Sequence, residues 1–255
     1  FAVSCEDRSN AGVNMAFFAH FRNVSDGDKE KAVQKLIKDS TPDYDFFLMM
    51  TLSVLMATSG LLLDNAAVVI GSMLIAPVLF PVLSLSLGVV MSDSKLISRS
   101  IYTILKSFSI GIIAAILITL IFLPSYSDLT FEIFLRTHAT LLSFLVAIVS
   151  GIAVSVALVR PDLNAAFPGI AVSVSLLPPL ATTGIGIAWL NLEIVSGSVV
   201  LLLLNIVGIV FASLASFSIL NLYVKRKVAD QTIEKEEKRV EREEEKVEEL
   251  KKEDA

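Results

Sequence analysis

With 255 residues, 54% of them hydrophobic, 18% charged and a mean hydropathy of +0.72, the chain lacks the polar surface that a soluble domain of this length needs. Its formal net charge of −5 is a property of the ends, because 46–224 holds five Lys/Arg and six Asp/Glu while 225–255 alone holds ten and twelve. This distribution gives no basis for expecting a nucleic-acid partner, and the single cysteine, Cys5, excludes an internal disulfide and a cysteine-based metal cluster.

The segment 1–45 reads as a cytoplasmic N-terminal piece with a juxtamembrane helix. Its first residue, Phe1 rather than Met, points to the end of a larger soluble domain. No charged stretch followed by a long apolar run marks a signal peptide in 1–40. Asn23-Val24-Ser25 matches a glycosylation triplet, a pattern that also arises by chance. Within 28–39, Ala32, Val33, Leu36 and Ile37 recur at helical spacing among four lysines. Such a helix either lies on anionic lipid or packs, solvated, on an upstream domain.

Six apolar runs follow, each near the roughly 20 residues that a spanning helix needs: 46–63, 66–90, 101–123, 139–159, 165–190 and 194–224. Thr41 is placed to cap the first, with Pro42 at its first helical position and Asp43 and Asp45 complementing the dipole. The last run exceeds what a bilayer requires and is expected to continue past it. Lys95, Arg99, Arg160 and Lys225-Arg226-Lys227 fall on one side of these runs, and only Arg136 on the other. The bias predicts a multi-pass protein of the cell (inner or plasma) membrane with both termini cytoplasmic.

From Lys225 the composition changes again. Ile233, Val240 and Val247 stand seven apart, with Leu250 after them, but the other seam positions, Glu236 and Glu243, are acidic. Half a heptad seam fits a long solvated helix, or a weak coiled coil joining the subunits of a homo-oligomer.

The second run carries Pro77 and Pro81. Pro77 has no N–H and its ring clashes with the turn before it, so the helix must kink or break there. The carbonyls so freed are tolerated in hydrocarbon only inside protein or along a wet cavity. The fifth run repeats the device. SMLIAPVL (Ser72–Leu79) can be laid on VSLLPPLA (Val174–Ala181), with Pro77 on Pro179, and Asp64-Asn65-Ala66-Ala67 has a counterpart in Asp162-Leu163-Asn164-Ala165-Ala166. Three helices is an odd number, so the second set enters the membrane inverted. The expected fold class is an all-α integral membrane protein: six transmembrane helices as two inverted three-helix repeats with Pro-interrupted second and fifth helices, plus a long charged C-terminal helix. The expected units are 1–45, 46–224 and 225–255.

GLLLDNAAVVIGSMLIAPVLFPVLSLSLG (Gly60–Gly88) closely resembles the signature of a prokaryotic membrane family known as domain-of-unknown-function family 389. FPGIAVSVSLLPPLATTGIGIAW (Phe167–Trp189) and LLLLNIVGI (Leu201–Ile209) continue the resemblance, which covers about Tyr44 to Leu222. It implies a six-helix membrane protein, often with a small soluble α/β domain ahead of the first helix. The family pattern has small residues near the second proline of run two, where this chain has Phe80. The resemblance implies no substrate.

Asp64 is the sharpest site candidate, as an ionisable group at a membrane span. The alternative is that it caps run two while Asn65 satisfies further backbone donors. Ser72, Ser84, Ser173, Ser175, Thr182 and Thr183 put hydroxyls beside the broken segments, for an ion or for their own backbone. Asn205 should find a partner across helices, and Lys106 should snorkel. Gly111/Ala115, Gly151/Ser155 and Gly208/Ala212/Ser216 read as helix-packing faces. His20 and His138 have no ligand-spaced neighbours, and no catalytic or phosphate-loop motif occurs, so neither a metal, a cofactor nor an enzymatic step is expected. The expected function is transport of a small solute or ion through a midplane site built from Asp64, Asn65, Ser72, Pro77, Pro81, Ser173, Ser175, Pro178, Pro179, Thr182 and Asn205. A non-transporting scaffold or sensor is the alternative. The expected partners are the lipid bilayer, further copies of the chain and the solute.

Overall fold

The computed structural model describes residues 24–122, 128–166 and 176–253, the side chains of 164–166 and 250–253 excepted. Within them the regular elements are all helical. α1 (Asp26–Asp39) is capped by Ser25, whose hydroxyl accepts from the Asp28 N–H. Its Ala32, Val33, Leu36 and Ile37 are buried, against the C-terminal helix and the fourth helix of this chain rather than on lipid. A turn at 40–43 leads into α2 (Tyr44–Leu62). The cap of α2 is Asp43, which accepts from the Phe46 N–H at 2.8 Å, and not Thr41. The Thr41 hydroxyl is used one turn earlier, donating to the Ile37 carbonyl at 2.9 Å at the end of α1, and Pro42 is left in the turn.

The second run is indeed broken. α3 (Ala66–Ile75) and α4 (Leu79–Met91) meet at Ala76-Pro77-Val78 with a bend of 49°. Ala76 takes an extended conformation (φ −68°, ψ 121°), where the ring of a following proline drives the residue before it. α4 is apolar all round and buried accordingly, held between α1, α5 (Ser94–Phe122) and α9 (Leu192–Ile219). α5 begins before the apolar run does, on an N-cap at Asp93 whose Oδ1 accepts from the Lys95 and Leu96 N–H groups. A short α6 (Phe131–Leu135) precedes α7 (Leu141–Val159), which lies along α9.

The fifth run is described only in part. Pro161–Ala166 is a 3-10 turn, 167–175 lie outside the described residues, and α8 (Leu177–Ala188) starts at the prolines. Pro178 and Pro179 occupy its first turn, where a missing N–H costs nothing. α9 stops at Ile219, and Asn221 in the left-handed region (φ 55°) turns the chain through a 3-10 piece into α10 (Arg226–Glu253).

α2, α5, α7 and α9 are each long and apolar enough to cross a membrane, and α3–α4 makes a fifth span if the bent pair is counted as one. Their inward faces and α8 form one core, with Met50, Leu61, Leu83, Leu180, Ile185 and Phe217 fully buried. Outward faces such as Leu105, Ile113, Leu117 and Ile121 of α5 stay exposed, the arrangement of helices solvated by lipid.

One corner recurs three times and no pattern reading anticipated it. Gly60, Gly88 and Gly186 are followed four residues on by a left-handed residue (Asp64, Ser92, Leu190) and five on by a cap (Asn65, Asp93, Asn191). Each cap N–H donates back to its glycine carbonyl, at 2.8, 2.9 and 2.9 Å, a Schellman closure whose last residue starts the next helix. A Cβ on any of the three glycines would lie about 3 Å from the following helix, at Val69, Ile97 and Val195, so only glycine admits so tight a reversal. By this geometry Asn65 matches Asn191. The match to Asp162–Asn164 suggested by residue type does not share it, because those residues sit in the 3-10 turn.

Candidate functional site

The broken helix separates the predicted site residues into two groups. α3 runs antiparallel to α2: Gly60 faces Val68 and Val69, Ser53 faces Ser72, and Phe46 and Pro77 share a cavity wall. Asp64-Asn65 therefore lies at one end of α3 and the Pro77 break at the other, about 15 Å away for a ten-residue helix.

At the Asp64 end the cap is Asn65, whose side chain accepts from the Ala67 and Val68 N–H groups. Asp64 is exposed, has φ 52°, and its Oδ1 accepts from the Glu132 N–H at 2.9 Å. Beside it Thr130 donates to the Leu61 carbonyl, and Glu132 pairs with Arg136 at 3.1 Å. Asp64 thus pins α6 over the α2–α3 corner. Asp64→Asn keeps both an acceptor and a residue suited to the left-handed region, so unfolding stability should change by less than about 0.5 kcal/mol. Asp64→Ala should cost about 1 kcal/mol and raise hydrogen exchange at 130–136.

At the break, the last carbonyls of α3 lose their helical partners. The Ser53 hydroxyl, fully buried, donates to the Ser72 carbonyl at 2.5 Å, and the Ser72 hydroxyl donates to the Val69 carbonyl at 2.6 Å. Both serines are thereby spent on backbone. Pro81 is buried inside α4. Pro77 lines a cavity of about 280 Å³ whose polar wall is Lys38, Asp39, Asp43, Asp45 and Arg239. The Arg239 guanidinium, from α10, lies 2.7 Å from Asp43 and 3.1 Å from Glu236. Burial raises the Asp39 carboxyl above its ordinary range, against the pull of Lys35 and Lys38 and with a further push from Glu236. Ser84, inside α4, accepts from the Ser40 hydroxyl at 3.2 Å, tying the α1–α2 turn to the same region.

The remaining candidates gather around α8. Leu180 and Gly184 meet α5 at Gly111 and Ala115, while Thr183 bonds Ser198 of α9 at 2.9 Å. That leaves Pro178, Thr182 and Ile185 on the flank toward α2 and α3, which α8 also contacts. Thr182 is fully buried, and its hydroxyl has no hydrogen-bond partner among the described residues. Asn205 is buried on α9, two turns beyond Ser198 and so beside the first turn of α8. Ser173 and Ser175 lie outside the described residues. Lys106 reaches an aromatic pair, its ammonium 4.4 Å from the Phe47 ring centre and 5.6 Å from that of Tyr102. The His138 ring lies 4.5 Å from that of Phe134, tilted by 47°.

The sequence reading overlooked Asp39 and Arg239, and took Asp43 only as a dipole partner. A signal existed for Arg239: it lies on the same stretch as the Ile233–Val240 seam. Nothing local said which helix that seam would meet. It meets α1, and Ala229 and Ile233 are fully buried there.

Comparison with known proteins follows the same helices. The family model described as domain of unknown function (DUF389) matches residues 73–211. An uncharacterized protein of Methanocaldococcus jannaschii is 33% identical over 171 residues, 67% of this chain and 52% of that protein, so the chain spans about half the length of this curated relative. No solved structure matches. A family model that covers more than half of the chain, from the end of α3 into α9, makes this protein a member of the DUF389 family.

Proposed function

We propose that this protein is a multi-pass transporter or channel of the cell membrane for a small solute or ion, with no enzymatic step. The observation that carries the reading is the Pro77 break, where a buried apolar helix is interrupted beside a charged cavity of about 280 Å³. In this reading the fifth apolar run is the sixth span, the two sets of three helices are inverted repeats, and the Lys/Arg bias puts α1 and α10 in the cytoplasm. The cavity is then the inner mouth of the path, and the hydroxyls of Thr182, Thr183 and Ser198 line its interior. Asp39, Asp43 and Asp45 outnumber Lys38 and Arg239 at the mouth, which favours a cation or zwitterion over a bare anion. The exposed Leu141–Val149 face of α7 would meet lipid or a second copy in a homo-oligomer.

Liposomes containing the full chain, diluted into isotonic KCl, NaCl, NH4Cl, choline chloride, potassium phosphate or glycine, test this by their swelling. Swelling faster than in protein-free liposomes for at least one solute is the expected result, slowed when Pro77→Leu removes the break. Rates equal to the protein-free control for every solute would overturn transport and leave the scaffold reading. That reading draws on α10, whose 28 residues form one charged helix, largely exposed over 241–249.

A further inference from the structure

α10 holds to the rest of the molecule in two different ways along its length. Near its start Ala229 and Ile233 are fully buried, where the helix packs on α1. Beyond Ile233 the apolar residues described, Val240 and Val247, are only half-buried, and 241–249 is largely exposed. What reaches the body there is charge. Glu237 takes Lys95 of α5 at 2.7 Å, and Arg239 takes Asp43, the cap of α2, at 2.7 Å. Glu236, 7% exposed, stands 3.1 Å from the Nε edge of the same guanidinium. The side chains of Lys95, Glu237 and Arg239 are 58%, 43% and 37% exposed, so these pairs hold weakly and are screened by salt. Arg239 also stands in a particular place. It walls the cavity at the Pro77 break together with Asp39, Asp43 and Asp45. A cation is thus already seated on the acidic wall, and it comes from 196 positions along the chain.

We propose that α10 from Glu234 onward is an autoinhibitory strap: Arg239 occupies on Asp43 the seat of a dissolved cation, and the strap lifts when that ion pair is screened or removed. Ala229 and Ile233 are its fixed end, because lifting them would take apolar side chains out of a packed contact. The other end can leave at little cost in apolar burial, since only two half-buried valines go with it. Once lifted, a solvated helix end frays, and its amides exchange faster. The cavity then keeps Asp39, Asp43 and Asp45 against Lys38 alone, a wall more attractive to a cation than before. The docking stands on the contacts themselves. Only the consequence for flux rests on the transport reading.

Hydrogen exchange of the full chain in lipid nanodiscs reads the strap without any substrate. In about 50 mM NaCl, Arg239→Gln should lower protection over 234–247 at least about threefold and leave 226–233 as it was. Raising NaCl to about 500 mM should do the same to the unsubstituted chain and add little in the variant. Arg239→Lys keeps the charge and should stay near the parent. Protection over 234–247 that neither salt nor Arg239→Gln changes would overturn the strap. An Arg239→Lys loss as large as that of Arg239→Gln would do so too, because charge would not be what holds the helix. In the swelling assay with KCl or choline chloride, Arg239→Gln should be faster than the parent. Swelling at one rate by both chains would overturn the inhibition. Faster exchange in Arg239→Gln with no swelling by either chain would leave the strap standing and end the transport reading.

Discussion

Replacing Gly184 by leucine should lower stability by about 3 kcal/mol or more, with loss of the contact between α8 and α5. A Cβ at this position would run into the Ala115 side chain and stand 3.1 Å from the Ile112 carbonyl, inside a contact that two small residues make possible. α5 is a continuous helix of 29 residues, also packed against α2 and α4, so its backbone cannot yield locally. The whole of α8 must move instead, taking fully buried Leu180 and Ile185 out of the core. Denaturant unfolding in detergent, followed by the single tryptophan, Trp189, at the end of α8, measures the effect. Gly71→Ala is the control. A Cβ there meets only the Met56 methyl at 3.9 Å, and the gain in helix propensity should make that change neutral or stabilising by about 0.5–1 kcal/mol. Equal stability of Gly184→Leu and the parent would mean that α8 is not seated on α5 as described.

Ser53→Ala should cost about 1 kcal/mol, more than any surface serine, because it removes a buried hydrogen bond between α2 and the end of α3. Ser72 is fully buried in the last turn of α3, and the Ser53 hydroxyl donates to its carbonyl from the neighbouring α2. Ser53→Thr retains the donor and should recover most of the loss. Ser109→Ala, which removes an exposed hydroxyl bonded back to its own helix, should stay within about 0.5 kcal/mol of the parent. The same unfolding experiment separates the three. A cost for Ser53→Ala no larger than for Ser109→Ala would show that this hydrogen bond does not hold the end of α3 to α2.

The expectations that held rest on short-range physics. The first run, expected over 46–63, appears as a helix over Tyr44–Leu62, and the expected break falls at Pro77, because apolar composition and a missing N–H act within a few residues. The small residues also closed the pairs they suggested: Gly111 and Ala115 receive α8, and Gly151 faces Ala212. Where a residue had two short-range options, composition could not choose. Thr41 and Asp43 can both cap, and the end of α1 took Thr41; Asp64 and Asn65 can both cap, and the left-handed turn handed the cap to Asn65 while Asp64 reached across to α6.

The sequence by itself determined that this is a helical chain with membrane-length apolar helices, a broken second one and a charged C-terminal helix, and it carried the family resemblance that the comparison bears out. Tertiary structure alone decided which residues meet at the break. Asp64 is only 13 positions from Pro77 in the chain, yet a straight helix holds it at the far end of α3, while Arg239 arrives 162 positions later because α10 folds back over α1. Helical periodicity states which face of a segment is apolar. It does not state which other face will cover it, since that choice compares the burial of whole helices and leaves no trace in the spacing of any one of them.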